Sequence, residues 1–93
     1  PAFGEREGCS LVNGTAAHAL DFDDVQFNAH PSTVLVPAIL AEAERGGASG
    51  LQACKAYVLG YEVWGELHGR EKNPYHDKGW HPTAVMGPVA ATA

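Results

Sequence analysis

One stretch of the sequence, from Leu51 to about His68, repeats apolar side chains at the spacing of an α-helix. Residues three and four positions apart share one face of a helix, so this pattern predicts a long helix that packs along one side. Ser49, with Gln52 three positions later, has the spacing of a capping box and marks the expected start of this helix. The apolar stripe comprises Leu51, Cys54, Val58 and Tyr61 and, less regularly, Leu59, Val63, Trp64 and Leu67.

Two helices are predicted before this stretch. Ser10 to Phe22 is rich in Ala and Leu, and the acidic run that starts at Asp21 is expected to close the first helix, with residues 1–9 as a leader or loop. The second helix is expected to begin with Ser32 as its N-cap and to stop at Gly46-Gly47. Because it is apolar on nearly every face, we expect it to be buried.

The remaining sequence predicts one further helix. Gly69 to Gly79 is polar and contains the turn signal Asn73-Pro74, after which Pro82 to Ala93 reads as an Ala-rich helix interrupted at Gly87-Pro88. Neither a sustained period of two nor a repeat of solenoid length occurs. We therefore expect an all-α fold, in which residues 1–93 form part of a single helical domain.

Composition restricts the classes of function. The chain has 93 residues, 45% of them apolar and 18% charged, so some apolar surface is expected to pack against structure that these residues do not include. A net charge of -5 with six scattered basic residues argues against nucleic-acid binding. The sequence contains no run of about 18 apolar residues, the length that a membrane-spanning helix needs. Cys9 and Cys54 are expected to be free, buried thiols, and the protein is expected to be cytoplasmic.

Candidate catalytic groups gather near the predicted helix ends. Proline favours extended geometry in the residue before it and suits the first position of a helix. Each His-Pro pair should therefore place its imidazole just outside a helix N-terminus, where amides attract anions and a neutral imidazole can exchange a proton with a bound acid. The three groups are Asp21, Asp23 and Asp24; His30 with Pro31 and Ser32; and His76 to His81 with Pro82 and Thr83.

Other interpretations stay open for these groups. The acidic run can be a solvated helix end, although carboxylates there oppose the helix dipole, and His18 can be a packed or hydrogen-bonded core histidine. A mononuclear Fe or Mn centre could use Asp21, Asp24, His30 and His81, but their spacing does not select it. The common metal, dinucleotide and P-loop motifs are absent. We therefore assign no metal ligands and expect no cofactor.

Four strings in order resemble the N-terminal helical region of the MmgE/PrpD family, which includes 2-methylcitrate dehydratase, cis-aconitate decarboxylase and iminodisuccinate epimerase. The resemblance extends from about Leu11 to the end of the chain. The strings are Asn13-Gly14-Thr15-Ala16-Ala17-His18-Ala19-Leu20-Asp21-Phe22-Asp23-Asp24, His30-Pro31-Ser32, Gly60-Tyr61-Glu62-Val63 and Gly79-Trp80-His81-Pro82-Thr83.

The resemblance implies a fragment of a two-domain enzyme, usually a homodimer, with a large helical domain, a smaller α+β domain and an active site in the cleft between them. It also implies that Asp21, His30 and His81 line the pocket, while the active-site lysines of the family lie further along the chain. The implied function is a cofactor-free hydro-lyase acting on small di- or tricarboxylic acids, like 2-methylcitrate dehydratase. The alternatives are an epimerase of the iminodisuccinate type, a cis-aconitate decarboxylase-like enzyme and a non-catalytic helical interaction module.

Specific roles follow for five residues. We expect His81 to transfer a proton, His30 to assist it or to bind a substrate carboxylate, and Asp21 to orient an imidazole. Asp24 and Lys78 are the expected substrate-binding residues, with Lys78 as a local source of positive charge.

Overall fold

The computed structural model describes the backbone of residues 5–93 and the side chains of residues 8–93. Over this range the chain forms the α-helices α1 (Glu5–His18), α2 (Pro31–Gly46), α3 (Gly50–Arg70) and α4 (Pro82–Ala91), with a 3-10 turn at His76–Lys78. No strand occurs in the described range, where the β pairing found is an isolated bridge between Gln26 and Ala29. The predicted all-α fold is confirmed.

Helix α1 differs from its predicted bounds at both ends. It starts at Glu5, so the expectation of a leader or loop is wrong for residues 5–9, whereas residues 1–4 lie outside the described part. The helix ends at His18 rather than Phe22, and Asp21 adopts a left-handed φ of 57° that a right-handed helix cannot contain.

Helix α2 begins two residues earlier than its predicted cap implies. His30 occupies the N-cap position and Pro31 the first turn, where the fixed φ of proline is already helical. Ser32 therefore lies inside the helix, and its hydroxyl hydrogen-bonds the Tyr57 hydroxyl at 2.7 Å. The predicted stop is confirmed, since Gly47 has a left-handed φ of 64° and its N–H donates to the Ala43 carbonyl.

The expectation that α2 is buried on nearly every face is wrong. Leu35 is completely buried, and Thr33 and Pro37 are buried with it. Val36 and Leu40 on another face are 40% and 48% exposed. The difference arises because α1, α3 and α4 pack against α2 without surrounding it.

Helix α3 starts as its capping box predicts. The Ser49 hydroxyl accepts the Gln52 N–H at 3.3 Å, and the Gln52 side-chain oxygen accepts the Ser49 N–H at 2.8 Å. Further along, Trp64 is fully buried and lies at the centre of the core, as the apolar stripe predicts. The buried core residues are Ala29, Leu35, Trp64, Met86 and Ala90.

Close contacts between helices depend on two glycines. A Cβ added at Gly60 of α3 would lie 2.8 Å from Leu35 Cδ2 and 3.1 Å from the Ala90 carbonyl oxygen. A Cβ at Gly87 of α4 would lie 3.1 Å from Val34 Cγ1. These glycines let α2, α3 and α4 approach one another closely, and α4 continues through Gly87-Pro88 instead of being interrupted there.

Polar bonds attach α1 to α2. The Ser10 hydroxyl donates to the Pro37 carbonyl at 3.0 Å, and the Thr33 hydroxyl donates to the Gly14 carbonyl at 2.9 Å. This contact places His18, the last residue of α1, near the start of α2.

Both cysteines are free, as expected, but the prediction of buried thiols is wrong because Cys9 and Cys54 are exposed on α1 and α3. Across the described residues, no helix combines the length and apolar character needed to cross a membrane.

Candidate functional site

The loop between α1 and α2 turns back sharply before His30. Phe27 and Asn28 have left-handed φ values of 56° and 54°, and Gln26 and Ala29 exchange two backbone hydrogen bonds of 3.0 Å. Two left-handed central residues are characteristic of a type I′ turn. The ring centroids of Phe27 and Tyr61 are 5.8 Å apart, so the turn packs against α3.

Asp24 joins this loop to two helices. Its Oδ1 accepts the Ser32 N–H at 3.1 Å in the first turn of α2, and its Oδ2 accepts the Tyr61 hydroxyl at 2.7 Å. Burial, followed by this hydrogen bond and the charge of Asp24, raises the pKa of Tyr61 far above its ordinary value. The substrate-binding role of Asp24 stays a prediction, and both of its oxygens already have partners.

His30 and His81 occupy equivalent positions at the starts of α2 and α4. Each is the N-cap residue and is followed by proline in the first turn, which confirms their predicted placement just outside helix N-termini. The backbone N–H of His30 also donates to the hydroxyl of buried Thr83 at 3.1 Å. That bond ties the start of α4 to the start of α2.

Four side chains form a compact group, which we call the His-Asp cluster: His18, Asp21, Asp23 and His30. Asp23 lies at its centre, with its oxygens 3.0 and 3.1 Å from His18 Nδ1 and with Oδ2 3.2 Å from His30 Nδ1. Asp21 Oδ1 lies 3.7 Å from His30 Nε2 and 4.0 Å from His18 Nδ1. The structure therefore brings predicted Asp21 and His30 together and adds His18 and Asp23 to them.

The two carboxylates of the cluster differ in exposure. The Asp23 side chain is 8% exposed, whereas the Asp21 side chain is 76% exposed. Burial acts to raise the pKa of Asp23, but the hydrogen bond from His18, a backbone hydrogen bond and the charges of His18 and His30 outweigh it. The pKa of Asp23 therefore lies below its ordinary value of 3.8, and Asp23 is an anion at neutral pH.

The same cluster has the composition of a metal site. One donor atom from each of its four side chains can be chosen so that all lie within 4.8 Å of one another, and imidazole with carboxylate suits several transition metals. Within the cluster, His18 Nδ1 and Asp23 Oδ2 lie within hydrogen-bond distance at 3.0 Å. Asp24 and His81, which belonged to the metal set considered from sequence, are not members of this group.

His81 and Lys78 lie outside the cluster as the described residues place it. The His81 ring meets the His76 ring edge-on, with centroids 6.1 Å apart. Lys78 Nζ is paired with Glu71 Oε1 at 2.8 Å, and this hydrogen bond is the main reason that the pKa of Glu71 lies below its ordinary value. The substrate-binding role of Lys78 stays a prediction, and it requires Lys78 to leave Glu71.

The sequence analysis assigned no specific role to two members of the cluster, His18 and Asp23. His18 was expected in the core, yet its side chain is 38% exposed and bonds Asp23. Asp23 is one of three aspartates that a sequence cannot rank by burial. The available signal was position, since His18 closes α1 and precedes the acidic run by only a few residues.

Comparisons with known proteins agree with the helical architecture. Residues 6–93 match the family model of the MmgE/PrpD N-terminal domain. The chain is 37% identical over 90 residues to cis-aconitate decarboxylase of Homo sapiens and 36% identical over 90 residues to that of Mus musculus. These alignments cover 90% of this chain and 19% and 18% of the relatives.

A fungal relative gives a similar alignment. The cis-aconitate decarboxylase-like protein oryM of Aspergillus oryzae is 31% identical over 100 residues, which cover 94% of this chain and 20% of that protein. The chain thus spans about a fifth of the length of these curated relatives. No solved structure matches the chain significantly.

Proposed function

The chain belongs to the MmgE/PrpD family, and on that premise we propose that the whole protein is a lyase that acts on small di- or tricarboxylic acids. The proposed reaction proceeds by proton transfer through histidine and aspartate side chains, without a metal or organic cofactor. His81, His30 and Asp21 are the proposed catalytic residues.

One observation carries this proposal. His30 stands at the N-terminus of α2 with a carboxylate near each ring nitrogen, Asp23 at 3.2 Å from Nδ1 and Asp21 at 3.7 Å from Nε2. The hydrogen bond from the backbone N–H of His30 to the Thr83 hydroxyl joins the start of α2 to the start of α4, which carries His81. Two imidazoles on linked helix starts, one of them flanked by carboxylates, suit proton transfer to and from a bound acid.

Both of the reactions described next need side chains that donate or accept a proton. In a decarboxylation, the bond between carbon and the departing carboxylate breaks, carbon dioxide leaves, and a general acid gives a proton to the carbon that keeps the electron pair. In a dehydration, a base removes a proton from carbon while an acid protonates the leaving hydroxyl group. We assign the proton donor or base to His81, an assisting or carboxylate-binding role to His30, and ring orientation to Asp21.

Substrate charge requires further groups. A di- or tricarboxylate is repelled by the acidic run, so positive charge has to reach the pocket from Lys78 and from parts of the whole protein beyond these residues. We propose that Lys78 exchanges Glu71 for a substrate carboxylate, and that Asp24 contacts the substrate from the edge of the loop. Lys78 ends the His76–Lys78 turn, three positions before His81 in the sequence, which supports this proposal.

Decarboxylation of cis-aconitate ranks first among the candidate reactions, because the relatives described above carry that name. Dehydration of 2-methylcitrate and epimerisation of an iminodisuccinate-type acid follow as family alternatives.

We also propose a homodimer, supported by apolar side chains such as Leu51 and Val58, which are 66% and 58% exposed and suit contact with further protein. A non-catalytic interaction module is the alternative that turnover measurements distinguish.

The experiment is turnover of the whole protein, followed by mass spectrometry, with cis-aconitate, 2-methylcitrate and citrate, each in excess chelator. Loss of carbon dioxide or water under these conditions is the expected result and identifies the reaction. Absence of turnover with all three acids would reject the lyase and leave epimerisation or the non-catalytic module. Turnover that chelator abolishes would reject the metal-free mechanism.

A further inference from the structure

Asp23 has no assigned role in the reaction proposed above, although its side chain is the less exposed of the two carboxylates in the His-Asp cluster. We propose that Asp23, held in place by His18, is a positioning residue that fixes the His30 ring for proton transfer. This inference rests on the proposed function, because it requires His30 to act in turnover.

The first argument concerns the inner nitrogen of His30. His30 Nδ1 is buried and makes no hydrogen bond within the described residues, yet Asp23 Oδ2 lies only 3.2 Å away. A buried N–H without a partner is unfavourable, and a small rotation of the ring would align it with this carboxylate. Asp23 would then hold the proton on Nδ1 and leave Nε2 free to give or take one.

The second argument concerns how Asp23 is held. His18 Nδ1 lies within hydrogen-bond distance of both Asp23 oxygens, at 3.0 and 3.1 Å. His18 is the last residue of α1, so the helix limits its movement, and its ring centroid lies 4.4 Å from that of His30. His18 therefore holds the carboxylate whose Oδ2 also faces His30 Nδ1.

The third argument separates the two carboxylates around His30. Asp23 faces Nδ1 and is 8% exposed, whereas Asp21 faces Nε2 and is 76% exposed. Within the described residues, the side of the ring that faces Asp21 is therefore the more open side for a substrate. The inner carboxylate thus suits ring positioning, and the outer carboxylate suits contact with the reacting molecule. The lowered pKa of Asp23 supports this division because it keeps the inner carboxylate ionised at neutral pH.

The main test is Asp23→Asn in the whole protein. The amide can still accept a hydrogen bond from His18 but carries no charge to orient the His30 ring. We expect kcat to fall about 10- to 100-fold, the range for groups that orient metal-ligating imidazoles, with KM little changed. The matched control is Glu44→Gln, which neutralises an exposed carboxylate of α2 outside the His-Asp cluster and should keep the wild-type kcat.

A double-mutant cycle shows whether Asp23 acts through His30. If it does, His30→Ala and His30→Ala/Asp23→Asn should have the same kcat within about twofold, because the carboxylate has no ring left to position. A double variant about tenfold slower than His30→Ala would overturn the proposal. Wild-type turnover by His30→Ala would instead show that the proposed role of His30 in the reaction is wrong.

His18 offers a rescue test of the same proposal. Its contact with Asp23 runs through Nδ1, and an asparagine amide can place an N–H near that position. His18→Asn should therefore keep kcat within about threefold, whereas His18→Leu should lose about tenfold, within the range for supporting groups. Equal kcat values for these two variants, at equal melting temperatures, would contradict the holding role of His18.

Discussion

At the residue scale, three aspartates within four positions have different surroundings. Asp21 is left-handed in its backbone and exposed, Asp23 is buried between two imidazoles, and Asp24 is bonded to the Ser32 N–H and the Tyr61 hydroxyl. Asparagine and aspartate tolerate a left-handed φ better than most residues, which allows the chain to reverse at Asp21. Because the chain reverses there, Asp23 lies inside the fold, and the three aspartates have different surroundings.

Acid should weaken the fold through Asp23. Its pKa in the folded protein lies below the ordinary value of 3.8, so its ionised form adds to the free energy of unfolding above pH 3.8. This contribution is lost as pH falls through the lower, folded pKa. In urea unfolding of the whole protein, the difference between wild type and Asp23→Asn should shrink as pH is lowered below 3.8. A difference that stays constant from pH ~6 to ~3 would contradict this assignment.

The two tyrosine hydroxyls on α3 provide a matched pair of substitutions. Tyr61→Phe removes a bond to the Asp24 carboxylate and should lower the free energy of unfolding by about 1.5 to 3 kcal/mol. Tyr57→Phe removes a neutral bond to Ser32 and should cost about 0.5 to 1.5 kcal/mol. Urea denaturation of both variants checks the order. A larger loss for Tyr57→Phe would show that Asp24 is satisfied by other groups.

Single residues also show where sequence reasoning stopped. His30 and His81 could be placed at helix starts because the effect of a following proline is local. The Asp24 partner Tyr61 lies 37 positions away, and the contact from Thr83 to His30 spans 53 positions. Such pairs depend on how whole helices pack, which no local pattern specifies.

At the element scale, packing around α3 sets the distances between helices. Gly60 faces Leu35 of α2 and the Ala90 carbonyl of α4, and the fully buried Trp64 lies one turn further on. The apolar stripe predicted this helix, and the capping box predicted its start, because both signals are local. The absence of a side chain at Gly60 carries no periodic signal, so the closeness of three helices there could not be predicted.

A glycine pair on α3 tests this packing. Gly60→Ala would place a Cβ 2.8 Å from Leu35 Cδ2 and 3.1 Å from the Ala90 carbonyl oxygen, so the free energy of unfolding should fall by about 1 to 3 kcal/mol. Gly69→Ala is the control, because a Cβ there meets nothing within 4 Å. Alanine favours helix over glycine, so this control should be neutral or stabilising by up to about 1 kcal/mol. Equal losses in thermal denaturation would contradict the packing at Gly60.

Helix bounds were harder to predict than helix existence. The N-terminal part of α1 was missed because Gly8 and the charges around it resemble a loop, whereas acidic residues also suit a helix start. The α4 interruption was expected because glycine and proline weaken helices in isolation. In the fold, close packing of Gly87 against Val34 compensates for this weakness.

At the scale of the whole molecule, the candidate chemistry is concentrated where helices begin and end. The His-Asp cluster joins the end of α1 to the start of α2, and Thr83 links that start to α4 and His81. Apolar side chains remain exposed elsewhere, including Phe22 at 91% and Leu20 at 76%. The apolar composition predicted such surface, which suits contact with further protein.

The most direct test of the account is the turnover of His81→Ala and His30→Ala in the whole protein on the acid that the wild type consumes. If these imidazoles transfer or assist the transfer of a proton, His81→Ala should lower kcat at least roughly a hundredfold, the low end for a positioned general acid or base. His30→Ala should lower it by about tenfold or more at an unchanged melting temperature. Both variants turning over within about threefold of wild type would contradict proton transfer by histidine.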